Sequence, residues 1–127
     1  THYHADTRRA ARAILSNLCG QAYEFHLTLP AECALALSIH SGNDRLKLTY
    51  QPETRHLTLG NQTAPVPETT GQNLNLHIYV DGSVIEMLVN EHFSMSARFY
   101  APEKFTNQLI ESPQTLTLNA WQMQSIW

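Results

Sequence analysis

Between Leu74 and Val89 apolar and polar residues alternate on both sides of an Asp81-Gly82 pair, a pattern that leaves few folds open. Asp-Gly between alternating runs is the strongest short-range hairpin signal, because a type I′ turn needs φ > 0 at both central residues and its twist matches the strands. Centred on Asp81 and Gly82, the turn sets Ile78 opposite Ile85, Leu76 opposite Met87 and His77 opposite Glu86. Period two then sorts the side chains onto two faces. Leu74, Leu76, Ile78, Val80, Ile85, Met87 and Val89 form a core face, and Asn75, His77, Tyr79, Val84, Glu86 and Leu88 form the other.

The same period runs through much of the chain. Tyr23, Phe25, Leu27 and Leu29 alternate with polar residues; Cys33, Leu35, Leu37 and Ile39 follow, then Leu46, Leu48 and Tyr50, then Leu57 and Leu59. Turn residues separate the runs at Pro30, Ser41-Gly42-Asn43 and Gln51-Pro52. A further alternation covers Phe93 to Tyr100, and Leu116 and Leu118 precede a last strand with Trp121 and Trp127, one of which is expected to close the core or an inter-domain seam. Short strands at about 8 to 12 residue spacing predict an all-β, two-sheet antiparallel β-sandwich, jelly-roll-like. Residues 5 to 18 differ: Ala10, Ala11, Ala13, Ile14, Leu15 and Leu18 mixed with arginines favour a short N-terminal helix, capped by Asp6 or Thr7 and closed by Gly20. The expected organisation is a helix and linker over 1–22 and the sandwich over 23–127. Residues 60–73, with Pro65 and Pro67 and no apolar pattern, are the longest expected loop.

Composition narrows the function. A chain of 127 residues can bury one core and no second. Eight basic and eleven acidic residues are interspersed at net charge −3, so no basic stripe marks a nucleic-acid surface. No apolar run approaches the roughly 18 residues of a membrane span. Thr1 in place of Met points to a processed or excised piece of a longer protein. Cys19 and Cys33 could form one bridge in an oxidising environment, but a domain this apolar needs none, and free thiols are the favoured reading. Asn61-Gln62-Thr63 is a glycosylation sequon, meaningful only after eukaryotic secretion.

Asp81-x-Ser83-x-x-Glu86, Asn90 and Ser96-Ala97-Arg98-Phe99-Tyr100, together with Leu15-x-x-Leu18-x-Gly20-x-x-Tyr23-Glu24-Phe25, resemble the C-terminal β-sandwich domain of glycoside hydrolase family 32, the invertases, levanases and other β-fructosidases. The resemblance runs from about residue 14 to the C-terminus. It implies a sandwich that accompanies a catalytic β-propeller, with Asp81, Gly82, Ser83, Glu86 and Arg98 as its structural motif. Members often place Asp-Arg where Gly60-Asn61 stands here, so nothing is carried over from that loop.

The residues themselves supply no catalytic set. The family's propeller carries Asn-Asp-Pro, Arg-Asp-Pro and Glu-Cys motifs, and retaining glycosidases need two carboxylates about 5 Å apart. This chain has no Asp-Pro; Asn43-Asp44 precedes Arg45 in an expected hairpin loop, and Glu32-Cys33 opens a strand. Asp81 reads as a turn residue. Glu86, among apolar neighbours, needs a partner, which His77 opposite or Arg98 diagonally would supply. His2 and His4 lie in a terminus expected to be mobile, without a third ligand; His26, His40, His56, His77 and His92 read as surface residues, so no metal and no cofactor is expected. Asn75, His77 and Tyr79 are the best carbohydrate-binding candidates, since an aromatic ring stacks on sugar C–H groups while polar neighbours bond hydroxyls. Val84 and Leu88 are apolar on the polar face and mark an expected docking patch.

The leading reading is a non-catalytic accessory module whose partners are a catalytic propeller and a second copy of the chain. The alternative is an autonomous lectin-like module binding fructan or another carbohydrate. No nucleic acid or membrane partner is expected, and compartment is not indicated.

Overall fold

The alternating runs become strands because each has one face to bury, and antiparallel pairing gathers them into two sheets. The computed structural model describes residues 2–20, 22–67, 73–100 and 105–123. In chain order the elements are β1 (His2–Thr7), α1 (Arg8–Asn17), β2 (Cys19–Gly20), β3 (Ala22–Pro30), β4 (Leu35–Ser41), β5 (Asp44–Gln51), β6 (His56–Leu59), β7 (Gln62–Pro65), β8 (Asn73–Asp81), β9 (Val84–Val89), β10 (Phe93–Arg98), β11 (Phe105–Glu111) and β12 (Thr115–Gln122). The first six-stranded sheet has the order β1-β12-β3-β8-β9-β10 and the second β2-β11-β4-β5-β6-β7. The fold is an all-β sandwich with one short helix, as the periodicity implies.

The core lies between the sheets. Tyr23, Phe25, Leu27 and Leu29 of β3 and Leu74, Leu76, Ile78 and Val80 of β8 are buried with Leu35, Leu37 and Ile39 of β4 and Leu48 and Tyr50 of β5. Each such side chain stabilises the fold by about 1.5 to 3 kcal/mol on burial. One polar node crosses this core. The Tyr23 hydroxyl donates to Asn107 Oδ1 at 2.9 Å, and Asn107 Nδ2 donates to the carbonyls of Leu15 and Leu18 at 3.2 and 3.4 Å. It joins β3, β11 and the end of α1.

Thr7 caps α1, its Oγ1 accepting from the Ala10 N–H at 3.2 Å, and the helix buries Ala11 and Leu15. It lies against β11 of the second sheet and β1 and β12 of the first, bridging the sheets along one side. It ends at Leu18, whose extended backbone sends its N–H back to Ile14 at 3.1 Å. Gly20 does not close it; it pairs with Phe105 as part of β2.

Several expectations are corrected. The N-terminus is not a mobile tail: β1 pairs with β12, His2 against Trp121 and His4 against Asn119. The expected loop over 60–73 contains β7, which pairs with β6 through Thr58–Thr63 and Leu57–Ala64; residues 68–72 lie outside the described residues. In the signature hairpin the register is two residues from the expected one. Ile78 faces Met87, Leu76 faces Val89, Tyr79 faces Glu86 and His77 faces Leu88. The turn is therefore Gly82–Ser83 with Asp81 paired to Val84. Gly82 has φ +61 and Ser83 is not in the positive-φ region, the type II′ pattern, in which glycine takes the first central position. A shift of two keeps every side chain on its face, so the core and polar sets stand as read.

Trp121 does not close the core. It is half-buried on the outer face of the first sheet, and Trp127 lies outside the described residues. Cys33 is a free thiol. Among the described residues no helix is long and apolar enough to cross a membrane.

Candidate binding surfaces of the first sheet

Pairing of β12, β3, β8 and β9 sets residues from distant parts of the chain side by side on the outer face. One row reads His4, Asn119, His26, His77, Leu88; the next reads His2, Trp121, Glu24, Tyr79, Glu86. The rings stack on one another. His2 lies on Trp121 at 4.9 Å between centroids, His26 on His77 at 5.2 Å and Tyr79 on His77 at 4.3 Å, with Trp121 tilted toward His77 at 6.4 Å. His77 stacks with both His26 and Tyr79, and Tyr79 remains 38% exposed.

Hydrogen bonds fix the ladder. His77 Nε2 is 2.7 Å from Glu24 Oε2, and the Tyr79 hydroxyl is 3.2 Å from His77 Nδ1. A donating Nε2–H leaves Nδ1 to accept from Tyr79, so both contacts suit one neutral tautomer. Asn119 Oδ1 is shared by His2 Nε2 at 3.0 Å and His4 Nδ1 at 2.9 Å, while His4 Nε2 meets Asp6 at 3.1 Å. The Asn119 bond, then Asp6, raises the His4 imidazole above its ordinary value. Burial, followed by neighbouring His77, holds His26 below its ordinary value, against an upward pull from Glu91. Among the described residues no three of His, Cys, Asp or Glu group to hold a metal ion.

Asn75, His77 and Tyr79 share one face of β8, as the alternation implies, but with different neighbours. Asn75 is bonded by Thr28 Oγ1 at 2.8 Å, and its N–H donates to Asn90 Oδ1 at 2.6 Å. His77 takes Glu24 as partner, not Glu86. Glu86 lies diagonal to Arg98 across the β9–β10 ladder, yet the two form no ion pair. Val84 and Leu88 are half-buried and separated: Leu88 borders a hollow of about 280 Å³ with His26, His77 and Asn90, while Val84 lines a cleft of about 550 Å³ with Glu86, Ser96 and Arg98. Glu24, His26, Asn119 and Trp121 escape a reading of the sequence as site residues. Their polar-face position within their own strands is legible; their partner strands are not.

The profile described as the C-terminal domain of glycosyl hydrolases family 32 matches residues 3–122. The chain belongs to that family. Solved family 32 structures share its fold. A sucrose-6-phosphate hydrolase from Lactobacillus gasseri superposes with a TM-score of 0.75 at 22% identity over 100% of this chain and 29% of its own length. A Bombyx mori GH32 beta-fructofuranosidase gives 0.66 at 19% over 83% and 24%, and an exo-inulinase from Aspergillus awamori gives 0.67 at 13% over 98% and 27%. The chain thus spans between 24% and 29% of the length of these proteins. No curated protein matches the sequence.

Asp81 ends β8, Gly82 and Ser83 make the turn, and Arg98 ends β10 with its Nη1 donating to the Tyr100 hydroxyl at 3.2 Å. Glu32 is exposed in the turn before β4, and Asp44 opens β5 after the Gly42–Asn43 turn.

Proposed function

We propose that this domain is the non-catalytic accessory module of a β-fructosidase and packs on the catalytic propeller of its parent. Membership of the family 32 C-terminal domains across residues 3–122 carries the reading. The related enzymes act as a sucrose-6-phosphate hydrolase, a beta-fructofuranosidase and an exo-inulinase, which supports a parent acting on β-fructosides. The outer face of the first sheet suits docking: Tyr79 remains exposed on it, and Leu88 supplies an apolar contact beside the stacked rings. Without a propeller the same face brings two copies of the chain together.

The isolated chain is expected to release no fructose from sucrose, inulin or levan, because the carboxylate pair for glycosyl transfer is missing. It is expected to comigrate with a separately expressed family 32 propeller in sedimentation, and Leu88→Glu to weaken that association. Sustained hydrolysis abolished by a point change in this chain overturns the non-catalytic role; a propeller that ignores the domain overturns the docking.

A further inference from the structure

The cleft at the β9–β10 edge adjoins the ring ladder, its Glu86 lying across from Tyr79. Its volume of about 550 Å³ falls in the range of about 300 to 1,000 Å³ typical of small-molecule sites. Glu86, Ser96 and Arg98 enter it from β9 and β10, and Asn61 and Gln62 from the β6–β7 turn. That turn is held by backbone: the Gly60 N–H donates to the Lys47 carbonyl at 2.9 Å. Gly60 sits at φ +63, and a Cβ there would meet Leu46 Cδ1 at 2.9 Å. The cleft wall is thus set before any ligand arrives, which lowers the cost of binding.

Its hydrogen-bonding groups are largely unspent. The Glu86 carboxylate makes no hydrogen bond or ion pair among the described residues. Arg98 has five N–H donors and gives one to Tyr100 at 3.2 Å. The Asn61 and Gln62 amides are exposed and both donate and accept. An anion drawn by Arg98 is repelled by Glu86, and a cation meets the reverse. A neutral ligand whose adjacent hydroxyls each donate and accept satisfies both.

We infer that this cleft binds a neutral saccharide, with Glu86 accepting from ligand hydroxyls and Arg98 and the amides of Asn61 and Gln62 donating to them. Docking of a propeller on the ladder is a separate matter, and each stands if the other fails.

The test is a titration of the ¹⁵N-labelled 127-residue chain with sucrose, kestose and maltotriose, followed by amide shifts. Saturable shifts at residues 60–62, 86 and 96–98 are expected. Tighter binding of kestose assigns a fructoside-reading cleft and tighter binding of maltotriose a glucoside-reading one, and both support the site. Glu86→Ala and Arg98→Met should each weaken binding by about tenfold or more, the loss of a hydrogen bond to a charged group, with other amides unmoved. No saturable shift with any of the three sugars, shifts centred on His77 and Trp121, or unchanged affinity in both variants overturns the proposal.

Discussion

The outer faces of the two sheets arise from the same alternation, yet the first brings His2, Trp121, Glu24, His77 and Tyr79 into contact while the second sets out Thr106, His40, Arg45, Ser38, Lys47, Thr58 and Thr63. On the second face the Thr58 and Thr63 hydroxyls pair at 3.1 Å, and Ser38 Oγ and His40 Nε2 are buried without a hydrogen-bond partner among the described residues. On the first, a carboxylate, an amide and several rings satisfy one another. Histidines occur on both faces, so histidine content does not make the difference. Cross-strand register does: it sets His77 beside His26 and diagonal to Glu24, and sets His40 between Arg45 and Thr106.

The largest effect should come from unlocking what holds the two faces in one body. Asn107→Leu removes the hydrogen bonds to the Tyr23 hydroxyl and to the Leu15 and Leu18 carbonyls at one stroke, and should cost on the order of 3 kcal/mol in urea unfolding. Unchanged stability would mean the node is dispensable. Next comes the hairpin that presents His77 and Tyr79. Gly82→Val forces a β-branched residue to φ +61 with no atom within 4 Å of the new Cβ, so the cost of about 1 to 3 kcal/mol is backbone strain. An unaltered melting temperature would show the turn relaxing to another type.

The faces themselves separate at the next level. His77→Phe keeps a ring in the stack but leaves Glu24 and the Tyr79 hydroxyl unbonded; the expected loss is about 1 kcal/mol at this partly buried site. Thr58→Val on the opposite face should stay within about 0.5 kcal/mol. Equal losses would erase the distinction between the two faces.

The smallest effect is electrostatic. His26 has a folded pKa below its ordinary 6.5, so the unfolded chain binds protons more readily and stability rises with pH in that window. Its contribution is complete above pH 6.5 and declines as pH falls from there toward the lowered folded value. His4, raised, acts in the opposite sense: its contribution is present below 6.5 and is lost as pH rises through its folded value. Lying at the exposed sheet edge, it is readily screened by salt. Unfolding midpoints across this range should show a slope for the wild-type chain that His26→Gln flattens; an identical slope in the variant would remove His26 from the account.

What was legible depended on where a strand sits. β3, β4, β5, β8 and β9 have one strongly apolar face and read clearly. β1 and β7 did not, and both are edge strands. His-Tyr-His-Ala-Asp-Thr and Gln-Thr-Ala-Pro bury little, so they lack the alternation that marks a strand, and Pro65 is tolerated because an edge need not donate on its outer side. The hairpin register slipped by two because Asp-Gly reads as a type I′ pair, whereas glycine here takes the first position of its turn. The conformation sought there occurs one turn later, where Asn90 and Glu91 have φ 49 and 60 and the His92 N–H donates to Val89 at 2.9 Å. Asn90 also tolerates that backbone and accepts from the Asn75 N–H, so a residue with no glycine beside it serves as both turn and tether.

By itself the sequence determined the fold class, the faces of the central strands and the absence of a complete catalytic motif, because period two and motif spacing are local properties of the chain. It placed Asn75, His77 and Tyr79 on one face for the same reason. The tertiary structure decided which strands lie beside them. Glu24 and His26 arrive with β3, Trp121 with β12 and His2 with β1, and the β6–β7 turn reaches the cleft of Glu86 and Arg98 from the other sheet. Those meetings depend on closure of the whole sandwich over its core, a cooperative packing outcome that no local pattern encodes.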